Sequence, residues 1–218
     1  MPFSPFYLAL LLAVLGMLLV FVQVGALTLV FDKLGLSPDS AMLLLSTSLF
    51  GSLINLPLFS VKAEGPPPAP EVFHSLLRLP QMEFNGKTVV AVNVGGCLVP
   101  LAFSAYLMLH NPVNPFTVFA AVGAVALMCR LTSRPVPGVG IGIPIFIAPI
   151  TAAIVSLLID PQQSAPLAYI SGTLGVLIGA DLARLGDIRK MGTPIASIGG
   201  AGTFDGIFLS GIVAVLLT

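Results

Sequence analysis

The sequence predicts an all-α, polytopic membrane protein of about seven transmembrane helices, with the fifth and seventh broken by glycine and proline. Three observations predict it. Only 8% of the 218 residues are charged, against roughly 25% in an average soluble domain. The chain is 56% hydrophobic with a mean hydropathy of +1.05, so its surface lacks the polar groups that water requires. Apolar stretches of membrane-crossing length recur along it, and the positive charges fall between them in a regular alternation. The 9 Lys+Arg and 9 Asp+Glu cancel, leaving no basic face for nucleic acid. Soluble enzymes, nucleic-acid binders and disordered tails are excluded.

A membrane helix needs about 20 mostly apolar residues. The first span is 6–31, interrupted only by Gln23. It is too long for a signal-peptide core and has no basic region before it. The second is 41–61 and the third 88–109. The fourth, 116–129, is short. The fifth, 138–159, is rich in Gly and Pro. The sixth is 165–183 and the seventh 199–218. Together they make residues 1–218 one transmembrane domain.

Positive charge tests that count. The loops after spans two, four and six carry Lys62, Arg78 and Lys87, then Arg130 and Arg134, then Arg184, Arg189 and Lys190. The opposite side holds only Lys33. Adding or removing one early span would scatter these charges. The N-terminus is therefore expected in the cytoplasm and the C-terminus outside. With no Trp in the chain, the interfacial aromatics are Tyr and Phe.

The one sizeable loop, 62–87, is cytoplasmic in this reading. It opens on Glu64-Gly65-Pro66-Pro67-Pro68-Ala69-Pro70, a stiff polyproline-type spacer. A short helix fits Val72 to Leu77. The β-branched run Thr88-Val89-Val90-Ala91-Val92 fits a strand ahead of the third span. The loop is too small for a catalytic domain.

Two segments echo each other at a shift of 62 residues. Gly138-Val139-Gly140 followed by Ile145-Phe146-Ile147-Ala148-Pro149-Ile150 matches Gly200-Ala201-Gly202 followed by Ile207-Phe208-Leu209-Ser210-Gly211-Ile212. Spans five and seven point the same way, and paired Gly/Pro-interrupted spans mark binding sites in transporter folds. Recurrence through composition bias stays open beside a true repeat.

Charges inside spans are costly and point to function. Asp181 lies near the cytoplasmic end of span six, and Asp205 lies about two turns, or ~10 Å, into span seven. Asp32, Asp39 and Asp160 sit at outer span edges and Asp187 in a basic loop, where capping explains them. Asp181 and Asp205 fall on consecutive antiparallel helices toward the same leaflet. Two such carboxylates can share a proton and activate water, bind a hard cation, or relay protons. Each can also cap a helix or pair with Arg184 or Arg130.

Around them, Gly199, Gly200 and Gly202 precede an apolar helix for which Thr203 is a suitable N-cap. Such an end offers backbone N–H groups to a substrate carbonyl or anion. Gly172, Gly175 and Gly179 read instead as a helix-packing face. Pro135 to Pro144 cannot be regular helix throughout, which makes Gly138 and Gly140 part of an unwound approach to span five. Asn93, before Gly95 and Gly96, is placed to hydrogen-bond to the site. Cys97 and Cys129 read as small core residues, and His74 and His110 as solvated. No His/Cys spacing suits a metal and no cofactor motif is present.

Four segments resemble a prokaryotic multi-spanning membrane family, a domain of unknown function: Ala91 to Gly96, Pro137 to Ile141, Tyr169 to Gly175 with Gly179-Ala180-Asp181, and Ser197-Ile198-Gly199-Gly200-Ala201-Gly202-Thr203-Phe204-Asp205-Gly206-Ile207-Phe208. The match covers roughly 88–218 and implies a prokaryotic inner or plasma membrane. More distantly, Asp181 and Asp205, with Gly202 three residues before the latter, resemble the GxGD intramembrane aspartyl proteases (the presenilin, signal-peptide-peptidase and prepilin-peptidase group). That resemblance implies catalytic aspartates on neighbouring antiparallel spans.

Three functions are therefore expected as alternatives. The first is an aspartyl-protease-like membrane hydrolase, in which Asp181 and Asp205 activate water and Gly199 to Gly202 admit a peptide backbone. The second is a proton- or cation-coupled transporter or channel with the same two aspartates as its ion site. The third is a non-catalytic membrane scaffold. The expected partners are the lipid bilayer and either a membrane peptide or a small ion. The oligomeric state is left open.

Overall fold

Glycine ends the first helix. Residues 23–33 form α1, and Gly35 follows at φ +70, with Leu36 N–H donating to Phe31 O at 2.9 Å in a Schellman-type closure. Ser37 then caps α2, Pro38–Gly51, by accepting from Ser40 N–H, with Pro38 in the first turn. The computed structural model describes residues 23–64, 86–136, 140–200 and 206–218. The beginning of the first span, the interior of the 62–87 loop with Val72 to Leu77, and Gly138, Gly202, Thr203 and Asp205 lie outside the described residues.

After α2 the chain becomes extended. Strand β1, Asn55–Lys62, pairs antiparallel with β2, Lys87–Asn93, from Asn55 opposite Asn93 to Lys62 opposite Lys87. The register shifts between Pro57 and Phe59. Proline removes a ladder donor and is tolerated here because β1 is an edge strand. On its other side β2 pairs in parallel with β5, Ile195–Ile198. The β-branched run 88–92 is thus the central strand of a three-stranded sheet.

From β2 the backbone passes through a π-helical turn, Val94–Leu98, into α3, Val99–His110. Asn114 caps α4, Pro115–Thr132. A short hairpin, β3 (Arg134–Val136) with β4 (Gly140–Gly142), leads to α5, Ile147–Ile159. Helix α6, Ser164–Val176, continues through a π-turn, Leu177–Asp181, and 3₁₀ turns, Leu182–Lys190. After β5 comes α7, Gly206–Leu217.

Several expectations are corrected. The fold is mostly helical and not all-α, since it contains the sheet and the hairpin. Helix covers only the first part of the expected second span, 41–61, because Asn55 to Lys62 enters the sheet. The third span, 88–109, begins as strand and turns helical at Val94. The fifth is helical from Ile147 and the seventh, within the described residues, from Gly206. Hydropathy counts apolar residues and does not separate a buried strand from a helix end. Two helices, Pro115–Thr132 and Pro161–Lys190, are long and apolar enough to cross a membrane by length and composition. Helices α5 and α7 are shorter, with 13 and 12 residues.

Helix α6 is the axis of the bundle, packed by α3, α4, α5 and α7. Its residues Leu167 to Thr173 are fully buried or nearly so, as expected of a helix apolar on every side. Small residues set the distances. A methyl on Gly179 would lie 2.1 Å from Ala126 O, and one on Gly175 would lie 2.6 Å from Val125 Cβ, so α4 and α6 touch through backbone. Gly172 faces Ala152 of α5 and Ala214 of α7, while Gly211 of α7 receives Tyr169 and Thr173. The packing reading of Gly172, Gly175 and Gly179 fits this geometry. Tyr169 also meets Phe103 edge-on at 4.8 Å.

The connections sort to two ends. Arg184, beyond α6, donates to the carbonyls of Arg130 and Ser133 beyond α4. Glu64 N–H, after β1, donates to Arg189 O at 2.8 Å. At the other end, Lys33, the last residue of α1, donates to Val215 O near the close of α7 at 3.5 Å.

Candidate functional site

Asp181 closes the π-turn of α6. Such a turn widens the helix by one residue and recurs at functional sites. Its Oδ2 accepts Gly199 N–H at 2.8 Å, while its side chain borders a cavity of about 430 Å³.

The donor amide is held by backbone geometry. Gly199 and Gly200 both adopt positive φ, +87 and +89, which turns the chain sharply out of β5. A methyl on Gly199 would lie 2.7 Å from Cys97 N and Cβ. The π-turn after β2 therefore presses on the glycine turn after β5, and only glycine satisfies both the conformation and the space.

Asn93 fixes that π-turn. It is buried, and its Oδ1 accepts Gly96 N–H at 2.7 Å. Its Nδ2 donates to Ser52 O at 2.7 Å and to Asn55 Oδ1 at 3.1 Å. Asn55 Oδ1 also accepts from Ser197 Oγ at 2.6 Å. Ser197 borders the cavity. Asn93 is thus connected to the site through Asn55 and Ser197, and its own amide is spent on the scaffold.

The cavity lies where both expected breaks meet. One wall comes from the stretch before α5 and its first turn, including Ile141, Ile143 and Phe146. The other comes from Gly200, Gly206 and the first turns of α7, including Ser210. At the 62-residue shift, Pro144 corresponds to Gly206, Ile145 to Ile207 and Ala148 to Ser210, and all six border the cavity.

Asp181 and Gly200 thus border the cavity, and Gly199 supports Asp181 from behind. Gly140 lies in β4, next to cavity-lining Ile141. Gly206, the residue peptide-bonded to Asp205, is also in the wall. The sequence placed Ser197 with the glycines before span seven but gave it no role, and it did not mark Ser210 or Asn55. The available signal was the position of Ser197 two residues before the paired glycines. Among the described residues, no group of three or more His, Cys, Asp and Glu side chains converges on a metal position. Cys97 and Cys129 are both buried.

Beyond the site, Arg184 ties α4 to the segment after α6. Besides the two carbonyls, it donates to Ser133 Oγ at 3.1 Å and to Asp187 Oδ2 at 3.2 Å. Hydrogen bonding from Arg184, aided by Lys190, holds the Asp187 carboxyl below the usual carboxylate range.

The fold and cavity define a class: a mostly helical protein, with helices of membrane-crossing length, in which Asp181 borders a largely apolar cavity. Residues 49–217 match the family described as "Protein of unknown function (DUF1614)", and the chain belongs to it. No curated protein matches the chain, and no solved structure does.

Proposed function

We propose that the chain is a seven-span membrane protein that works as an aspartyl-protease-like hydrolase, with Asp181 and Asp205 as its catalytic pair. The observation that carries this reading is the cavity beside Asp181. Asp181 borders it on α6, and so does Gly206, the residue bonded to Asp205.

In this mechanism the ionised aspartate takes a proton from a water molecule. The water oxygen attacks the peptide carbonyl carbon, and the protonated aspartate donates to the carbonyl oxygen. The tetrahedral intermediate then collapses, the C–N bond breaks and the leaving nitrogen takes a proton. Gly199 N–H engages one oxygen of Asp181 and leaves the other for this work. Gly200, Gly202 and Thr203 would give the substrate backbone room and a helix N-terminus beside it. The meeting of the loops after spans two, four and six at one end supports seven spans, with the N-terminus cytoplasmic and the C-terminus outside.

The test uses the purified protein in vesicles with a helical membrane peptide as reporter. Asp181→Asn and Asp205→Asn should each abolish cleavage while the protein stays folded. Full cleavage by either variant would overturn the assignment of that residue.

One observation favours a second reading. The breaks before α5 and α7 both line the cavity in matching positions, as paired half-helices do around the ion site of transporters. In that case the same variants should abolish proton-linked uptake into vesicles and leave the reporter peptide uncleaved throughout.

A further inference from the structure

Helix α5 has two faces. Ala148, Ala152 and Ser156, four residues apart, are buried against the bundle. Phe146, Ile150, Ile154 and Leu158, also four apart, are exposed, at 67, 44, 52 and 78%. Four-residue spacing keeps side chains on one stripe of a helix. A continuous apolar stripe of this kind is costly in water, and in a membrane protein hydrocarbon covers it.

The foot of that stripe is also the rim of the cavity. Phe146 and its neighbour Ile145, 81% exposed, both border the cavity, as does the half-exposed Leu209 of α7. These exposed residues join the cavity wall to the apolar stripe of α5. Behind them the lining is chiefly apolar, through Ile143, Pro149, Val176 and Val213. Among the described residues, the polar side chains at the wall are Asp181, Ser197 and Ser210.

We propose that the cavity opens sideways into the bilayer between α5 and α7 and takes up the acyl chain of a lipid. The acyl chain enters past Ile145, Phe146 and Leu209, lies along Val176 and Val213, and stops short of Asp181 and Ser197. An apolar lining accepts a methylene chain, since each CH₂ removed from water contributes about 0.8 kcal/mol and a cavity of about 430 Å³ is of ligand-binding size. Lipid tails are already at the rim, so they reach the cavity without crossing water. The proposal rests on the membrane reading of the chain and is independent of which reaction Asp181 serves.

The absence of Trp makes the test direct. Single tryptophans are introduced as Val213→Trp in the cavity, Ile143→Trp on its opposite wall and Leu158→Trp on the outer stripe. The full chain is placed in vesicles of phosphatidylcholine carrying brominated acyl chains, and acrylamide serves as the aqueous quencher. The expected result is loss of emission from all three positions with brominated lipid, and little loss with acrylamide at Val213→Trp and Ile143→Trp. Quenching of Leu158→Trp by brominated lipid, with both cavity positions answering only to acrylamide, would overturn the side opening and leave the membrane reading standing. No quenching by brominated lipid at any position would overturn both. Two cavity positions on different elements keep the test valid where one variant fails to fold.

Discussion

Asp181 commits one carboxylate oxygen to Gly199 N–H, and its variants separate that role from its charge. Asp181→Asn retains an oxygen for Gly199 N–H, so the protein should melt near the wild-type temperature. Asp181→Ala leaves that amide without its partner beside a tight glycine turn, which costs about 1–3 kcal/mol and should lower the melting midpoint. A chemical denaturation series on the two variants checks this. Gly199→Ala combines strained φ with contact on Cys97 and should be more damaging still, about 2 kcal/mol or more. Asn93→Ala removes the cap of the π-turn and two donated bonds at a buried position. A loss of about 3 kcal/mol is expected, with activity falling through misplacement of Gly199. Equal stability in Asn93→Ala would show that the Asn93–Asn55–Ser197 chain does not hold the site.

At the scale of elements, the site is an agreement between two turns that are not α-helical. The π-turn after β2 presses on the glycine turn after β5, and the second π-turn, in α6, brings Asp181 beneath both. The sheet registers these pieces, since β2 joins β1 on one edge and β5 on the other. Arg184 does the equivalent work between α4 and α6. Lysine lacks the planar fork that serves several acceptors at once, so Arg184→Lys should cost about 1–2 kcal/mol. The pair with Asp187 adds a pH dependence. Because the folded carboxyl titrates below its ordinary value near about 3.9, the pair stabilises above that value and its contribution disappears as pH falls through the folded one. Melting curves from pH 6 to pH 2 should show this loss, under about 1 kcal/mol for a partly exposed pair, and Asp187→Asn should remove it.

At the scale of the whole molecule, the mostly helical class was legible from residues alone. Charge was so scarce that an aspartate inside an apolar run stood out, and the 62-residue echo marked both segments that later met at the cavity. The β-branched run 88–92 announced its strand. What was not legible has physical causes. Strand β1 was hidden because Leu56, Leu58 and Phe59 continue the hydropathy of α2, and a strand whose partners lie 25 to 38 residues away leaves no local periodic signal. Asn55 and Ser197 are ordinary residues until β1, β2 and β5 are placed side by side. The π-turns were invisible because they change the phase of a helix without changing its composition.

The central claim is that Asp181 and Asp205 act as one catalytic pair within the membrane. Cleavage of a helical reporter peptide by the purified protein in vesicles, compared with Asp181→Asn, Asp205→Asn and the double variant, tests it most directly. The account expects cleavage by the wild type, its loss in each single variant, and no further loss in the double variant, because the two groups share one step. Absence of cleavage by the wild type, or cleavage that persists in either single variant, would contradict it.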